Sequence, residues 1–243
     1  MNLTDKVQYT LKKSHKRKTI AIRVMPYGEV EVLAPFWCSR IEIDKIVRER
    51  IEWILKTQRR YKTYPKAAQH TYMNRDSFYL YGKRKKLELA VDSTFSISVF
   101  DDVLKLTMTP RMYDGAAGSR RTYCRKKIIQ WYKNKAELMI TERVSHWCSI
   151  YPELAAEHIS TDQLTIRHMK RRWGSCDKAG RLTFNCTTIC APRELIDYVI
   201  IHELCHRKEF NHGRVFYQMM DKYIPNHKDL QEEMRRCTGL WVL

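Results

Sequence analysis

The chain of 243 residues is 44% hydrophobic and carries 45 lysines and arginines against 27 acidic residues, a net charge of +18. An apolar share of that size builds a substantial core without disulfide staples, as one large domain or two smaller ones. The basic start of the chain has no apolar run behind it, and no later segment supplies the roughly 18 apolar residues of a membrane span, which argues against a secreted or membrane protein and for a soluble, cytoplasmic one.

In chain order, residues 7–34 give two alternating segments around Pro26-Tyr27-Gly28, the pattern of a hairpin. Residues 39–62 read as a helix with Ser39 as its cap and Ile43, Ile46, Val47, Ile51, Ile54 and Leu55 as the packed stripe; Trp53 is expected to pack as well. After a loop over 65–74 come strands near 77–82, 86–91, 95–99 and 103–109. Pro110 to Gly118, with two glycines and no apolar pattern, is the best boundary. The expected organisation is therefore a β-rich region with one helix over 1–112 and a catalytic domain over 113–243.

A long helix is predicted from Ser119 to about Cys148, with Ile128, Ile129, Trp131, Tyr132, Leu138, Ile140 and Val144 inside. Residues 158–190 read as strands, chiefly 164–167 and 181–185 about the Lys178-Ala179-Gly180 turn. The next helix opens at Ala191-Pro192-Arg193-Glu194, where proline loses no useful donor and Glu194 complements the positive helix end. Leu195, Val199, His202 and His206 share one face, and Ile196, Ile200 and Leu204 cover its neighbour, so this helix is expected to be buried. Helices near 213–223 and 227–237 follow, with Phe216, Met219 and Met220 packed against the preceding helix's histidines and His227, near a helix start, as well suited to the surface as to a functional role.

The most informative feature is His202-Glu203-Leu204-Cys205-His206 with His212. Histidines four apart on a helix stand one turn above the other, so both reach one ion at about 2.0–2.1 Å. Glu203 is rotated around the axis, which suits a base acting on water at the metal better than a ligand. His212 lies too far along for the same helix face, so the helix must end and the chain bend back. Asn211 in a left-handed conformation and Gly213 would allow that. The ligand spacing equals that of the metzincin peptidases, but Glu209 stands where they have glycine, which points to a different exit.

A second signature, Arg172-Trp173-Gly174-Ser175-Cys176, lies upstream. With the run from Asp197 to His206, then Asn211-His212 and Phe216, it resembles the YgjP-like branch of the SprT-like zinc metallopeptidases. The resemblance is strong over about 165–235 and looser over the first hundred residues, where Lys18-Thr19-Ile20-Ala21-Ile22-Arg23-Val24 and the Gly28 turn fit the family's opening strands. It implies an α+β fold: a β-rich N-terminal region, then a zincin-like minimal catalytic domain whose active-site helix packs on a small antiparallel sheet. It also implies one zinc ion per chain on His202, His206 and His212, with Glu203 as catalytic acid and base. Members of the family are assigned to nucleotide hydrolysis as well, so the substrate stays open between a peptide or protein and a nucleotide.

The second signature admits two readings. Gly174 permits a close backbone approach while Trp173 fills the core; or the strand walls the cleft, its edge receives an extended peptide, and Arg172 or Ser175 touches substrate. Tyr198, His168 and Tyr217 are candidates to stabilise a developing oxyanion. The eight cysteines lack a Cys-x-x-Cys pair and read as structural thiols in a reducing compartment. Basic runs recur at Lys12 to Lys18, Lys83-Arg84-Lys85-Lys86, Arg120-Arg121 with Arg125-Lys126-Lys127, and Lys170-Arg171-Arg172. Each is a solvated face or a phosphate contact; the last borders the site and suits a nucleotide or nucleic acid. A metallopeptidase is the leading expectation, with a nucleoside triphosphate pyrophosphatase and a nucleic-acid-binding SprT-like protease beside it.

Overall fold

The computed structural model describes residues 7–25, 28–66, 68–155, 163–169 and 172–243. Pro26, Tyr27, Lys170, Arg171 and the first residues of the stretch read as strands from 158 lie outside that set. Two compact units appear, Met1–Lys66 and Ala67–Leu243.

The first unit is a three-stranded sheet with two helices. Strands β1 (Tyr9–Ser14), β2 (Ala21–Val24) and β3 (Val30–Pro35) lie in the order β1-β3-β2. β2 and β3 form the expected hairpin, but β1 is a separate strand that pairs parallel to β3. Helix α1 (Arg40–Glu49) starts in a capping box: Ser39 accepts from the Glu42 N–H while the Glu42 carboxylate accepts from the Ser39 N–H. The single helix expected over 39–62 is two, because Arg50 leaves helical geometry before α2 (Ile51–Lys62). Val30, Val32, Ala34, Ile43, Val47 and Ile54 form the core. Trp53, expected inside, is 47% exposed.

The second unit holds the rest. Strands β4 (Ser77–Leu80), β5 (Lys83–Val91), β6 (Ser96–Phe100) and β7 (Val103–Met108) form a sheet in the order β4-β5-β7-β6, with β5 and β7 parallel. After the short helix α3 (Pro110–Tyr113), helix α4 (Ala117–Ile150) buries Cys124, Ile128, Tyr132, Ala136, Ile140 and Val144, a stripe at helical spacing. Leu138, placed inside from sequence, is 69% exposed because it falls off that stripe.

A short helix α5 (Pro152–Ala155), strands β8 (Leu164–Arg167), β9 (Gly174–Cys176) and β10 (Leu182–Asn185), and a 3-10 turn over Cys186–Cys190 lead to α6 (Arg193–His206), α7 (Arg214–Tyr223) and α8 (His227–Cys237). The small sheet runs β8-β10-β9 and is mixed rather than antiparallel, since β8 and β10 are parallel.

One core runs through the whole second unit, from Phe78, Leu87 and Leu106 through Ile128 and Tyr132 to Ile196 and Leu204. The expected boundary at 112/113 falls within α3, inside one unit. The hairpin between β4 and β5 shows why: the Tyr81 and Gly82 N–H groups donate to the Ile189 and Cys190 carbonyls at 2.7 and 3.0 Å. Gly82 has φ +77° and lies so close to Pro192 that an added Cβ would meet it at 2.8 Å. The larger sheet thus seats the start of α6.

Candidate metal centre

Helix α6 is held in place along its length. Leu195, Ile196, Val199, Ile200, Ile201, Leu204 and Cys205 are buried, as the sequence pattern requires. Arg143 of α4 makes a two-pronged bond to Asp197 at 2.7 Å in each prong, with both side chains largely buried. The helix ends at His206. The exit differs from the expectation at Asn211, which is not left-handed; the positive-φ residues other than glycine are Tyr72, Arg75, Tyr81 and Asp101 among those described. Instead the Lys208 and Glu209 N–H groups both donate to the Cys205 carbonyl, the Glu209 carboxylate accepts from the Asn211 N–H at 3.1 Å, and the Gly213 N–H reaches the Asn211 carbonyl at 2.7 Å. Glu209 thereby builds the bend for which glycine serves elsewhere.

That bend brings His212 to the other two histidines. The three Nε2 atoms form a near-equilateral triangle with sides of 3.2, 3.0 and 3.1 Å. Ligands about 2.0–2.1 Å from a tetrahedral ion lie about 3.3 Å apart, so the triangle fits one zinc-sized cation. Among the described residues these three side chains form the group of metal-ligating type. His206 Nδ1 lies 3.0 Å from the Glu209 carbonyl, a bond that places its proton on Nδ1 and leaves Nε2 as the lone-pair donor. Burial first, then the neighbouring imidazoles, pushes the His202 pKa down to about 3, and burial lowers that of His212. Neutral imidazole is the ligating form. Phe216, fully buried, floors the site with its ring 4.6–5.0 Å from each of the three imidazoles.

Glu203 is 6% exposed beside this triangle. Burial pushes its pKa up to about 8, opposed by the Arg172 guanidinium and by a hydrogen bond from the Cys176 backbone N–H. Gly174 lies directly against it: a Cβ there would stand 2.6 Å from the Glu203 Cγ and 2.7 Å from Oε1. The second signature is thus joined to the first by contact.

Its residues divide. Arg172 is exposed, with its charge acting on Glu203. Gly174 and Cys176 face α6, and strand alternation turns Ser175 to the opposite side, away from Glu203. Trp173 packs edge-on to Trp241 at 6.0 Å, the core-filling reading. Of the oxyanion candidates, Tyr198 has its hydroxyl oxygen engaged by the Gln231 side chain, whereas Tyr217 is 39% exposed with its ring 6.5 Å from that of His212. His168 follows β8 and is half-buried. His227 is buried rather than at the surface, 3.0 Å from Asp221 and stacked on Tyr217.

Sequence reasoning missed Asn185. This buried amide accepts from the Met169 and Thr187 N–H groups and donates to the Met169 and Arg172 carbonyls at 2.7 and 3.0 Å. It ties Met169 and Arg172 to the end of β10, and Thr188 adds a bond to the Trp173 carbonyl. A polar residue closing an alternating strand is too common a pattern to have singled it out.

Three imidazoles on one helix and its exit, against a buried carboxylate and a short strand, define a hydrolase of the metallopeptidase class. The chain matches the profile of the YgjP-like metallopeptidase domain over residues 18–237 and belongs to that family. No curated protein and no solved structure matches it. All eight cysteines are free thiols, and no helix among the described residues is long and apolar enough to cross a membrane.

Proposed function

We propose that the protein is a zinc-dependent peptidase acting on extended polypeptide segments, with Glu203 as its acid and base. The observation that carries this reading is the open edge of β9 beside Glu203. The Asp177 N–H donates to Arg181 and the Asn185 N–H to the Trp173 carbonyl, so the hydrogen-bonded positions toward β10 are Trp173, Ser175 and Asp177. Gly174 and Cys176 therefore turn their backbone groups outward. Glu203 takes the Cys176 N–H, which leaves the Gly174 N–H and carbonyl to pair with a peptide strand.

When bound by His202, His206 and His212, zinc supplies Lewis acidity that acidifies water toward a pKa of about 7 and polarises a carbonyl. Glu203 then takes one proton from the attacking water as its oxygen bonds to the carbonyl carbon, and returns it to the amide nitrogen as the C–N bond breaks. The Cys176 N–H fixes the carboxylate, and the Arg172 charge favours its ionised form against burial. Tyr217 is the hydroxyl we assign to the carbonyl oxygen.

The exposed guanidinium of Arg172 favours a second reading, a nucleoside triphosphate pyrophosphatase, in which it binds phosphate oxygens. A panel of unfolded protein, DNA–protein crosslink and nucleoside triphosphates, offered to the zinc-loaded protein and to Arg172→Ala, separates the two. The peptidase reading expects cleavage of unfolded protein that Arg172→Ala slows, through the lost charge beside Glu203, but does not abolish. Hydrolysis of triphosphates alone, lost in that variant, overturns it. Free thiols throughout accord with a cytoplasmic setting.

A further inference from the structure

Because β1 and β3 are parallel, the loops that leave them emerge at one end of the sheet of the first unit. The β1 exit carries His15, Lys16, Arg17 and Lys18; the β3 exit carries Phe36 and Trp37. The two are tied together: the Phe36 N–H donates to the Ser14 carbonyl at 3.2 Å, and Lys13 Nζ donates to the Cys38 carbonyl at 2.5 Å. The His15 ring lies flat on Phe36, with centroids 4.2 Å apart and planes 19° apart.

This end of the sheet combines exposed rings with unbalanced positive charge. Phe36 is 57% and Trp37 73% exposed. Lys16 and Lys18 are exposed beside them. The nearby carboxylates are engaged elsewhere, Glu42 in the cap with Ser39 and Asp44 with Tyr9 and Arg40. An exposed pair of adjacent rings rimmed by polar and charged side chains is the kind of surface that marks a binding site.

We infer that this end of the first unit binds single-stranded nucleic acid, with bases stacking on Trp37 and Phe36 and phosphates on Lys16 and Lys18. Aromatic faces among lysines are the elements of single-strand recognition, since unpaired bases offer free π-faces that a duplex hides. The chain's charge of +18 complements the phosphates. An anionic membrane is less suited, because an inserting wedge would drag the stacked His15 imidazole out of water.

The test is binding of the full-length protein to a labelled oligothymidine of about 15 nucleotides, to a duplex of equal length, and to phosphatidylserine vesicles. We expect preference for the single strand. Phe36→Ala/Trp37→Ala should weaken binding by about tenfold or more with an unchanged melting temperature. Lys16→Ser/Lys18→Ser should lower the salt slope by about 1 to 1.5. Equal affinity for duplex and single strand, wild-type affinity in the aromatic double variant, an equal loss on replacing Lys83 and Lys86 of the second unit, or binding to vesicles alone would each overturn the inference.

Discussion

Replacing Gly174 by alanine is expected to disable the protein while leaving its metal in place. The backbone at Gly174 is not in the left-handed region, so alanine costs nothing there by conformation. The cost is contact. A Cβ would stand 2.6–2.9 Å from three atoms of Glu203, where ordinary carbon contacts are about 3.5–4.0 Å, so strand or carboxylate must move by about 1 Å. Glu203 is packed in the core face of α6 and cannot swing freely into solvent. Forcing that overlap costs about 1–3 kcal/mol of stability, a fall in melting temperature of about 2–10 °C. Displacing a catalytic group by about 1 Å costs about a hundredfold in rate. Metal content and turnover measured on the same preparation decide the matter: full zinc with turnover down about a hundredfold is expected. Wild-type turnover in Gly174→Ala would refute the contact between the two signatures as a catalytic constraint.

Three further outcomes follow from named contacts. His212→Ala should lose zinc by metal analysis, since two ligands remain of the three-nitrogen triangle; full retention would remove His212 from the ligand set. Asn185→Ala should cost about 2–4 kcal/mol in denaturant unfolding, because it leaves four backbone groups around Met169, Arg172 and Thr187 without their partner, and a change below about 0.5 kcal/mol would contradict that role. Glu153 has its pKa lowered to about 2, first by the hydrogen bond from Lys222 and then by a backbone N–H. A lowered carboxylate pKa stabilises the fold above the ordinary value and loses that contribution as pH falls through the folded value. The melting-temperature gap between wild type and Lys222→Ala should therefore narrow as pH falls from about 4.5 toward about 2, and a gap as wide at pH 2 as at pH 7 would contradict it.

The clustering of His202, His206 and His212 was legible because its signal is local: a four-residue spacing on an apolar helix puts two imidazoles on one face, and the third follows within the next turn of chain. The long helix 117–150 and the strands of the larger sheet were legible for the same reason, from periodicity. What stayed hidden is contact between distant segments. Parallel pairing of β1 with β3 and of β8 with β10 leaves no turn signal in sequence. The placement of Gly174 on Glu203 needs two segments about thirty residues apart to meet, and the expected boundary near 112 failed because Tyr81 and Gly82 dock on the turn ahead of α6. Burial of His227 depends on Asp221 and Tyr217 of the neighbouring helix. Lys85, read as part of a basic run, is buried and bonded to the Asp101 carbonyl, because strand alternation turns it inward between Arg84 and Lys86.

The most direct test of the proposed activity is the rate at which zinc-loaded wild type and Glu203→Gln cleave an unfolded polypeptide at equal metal content. The amide cannot take the proton from water, so the variant should keep its zinc and cleave slower by about a hundred- to ten-thousandfold. Cleavage by the variant at the wild-type rate would contradict the account.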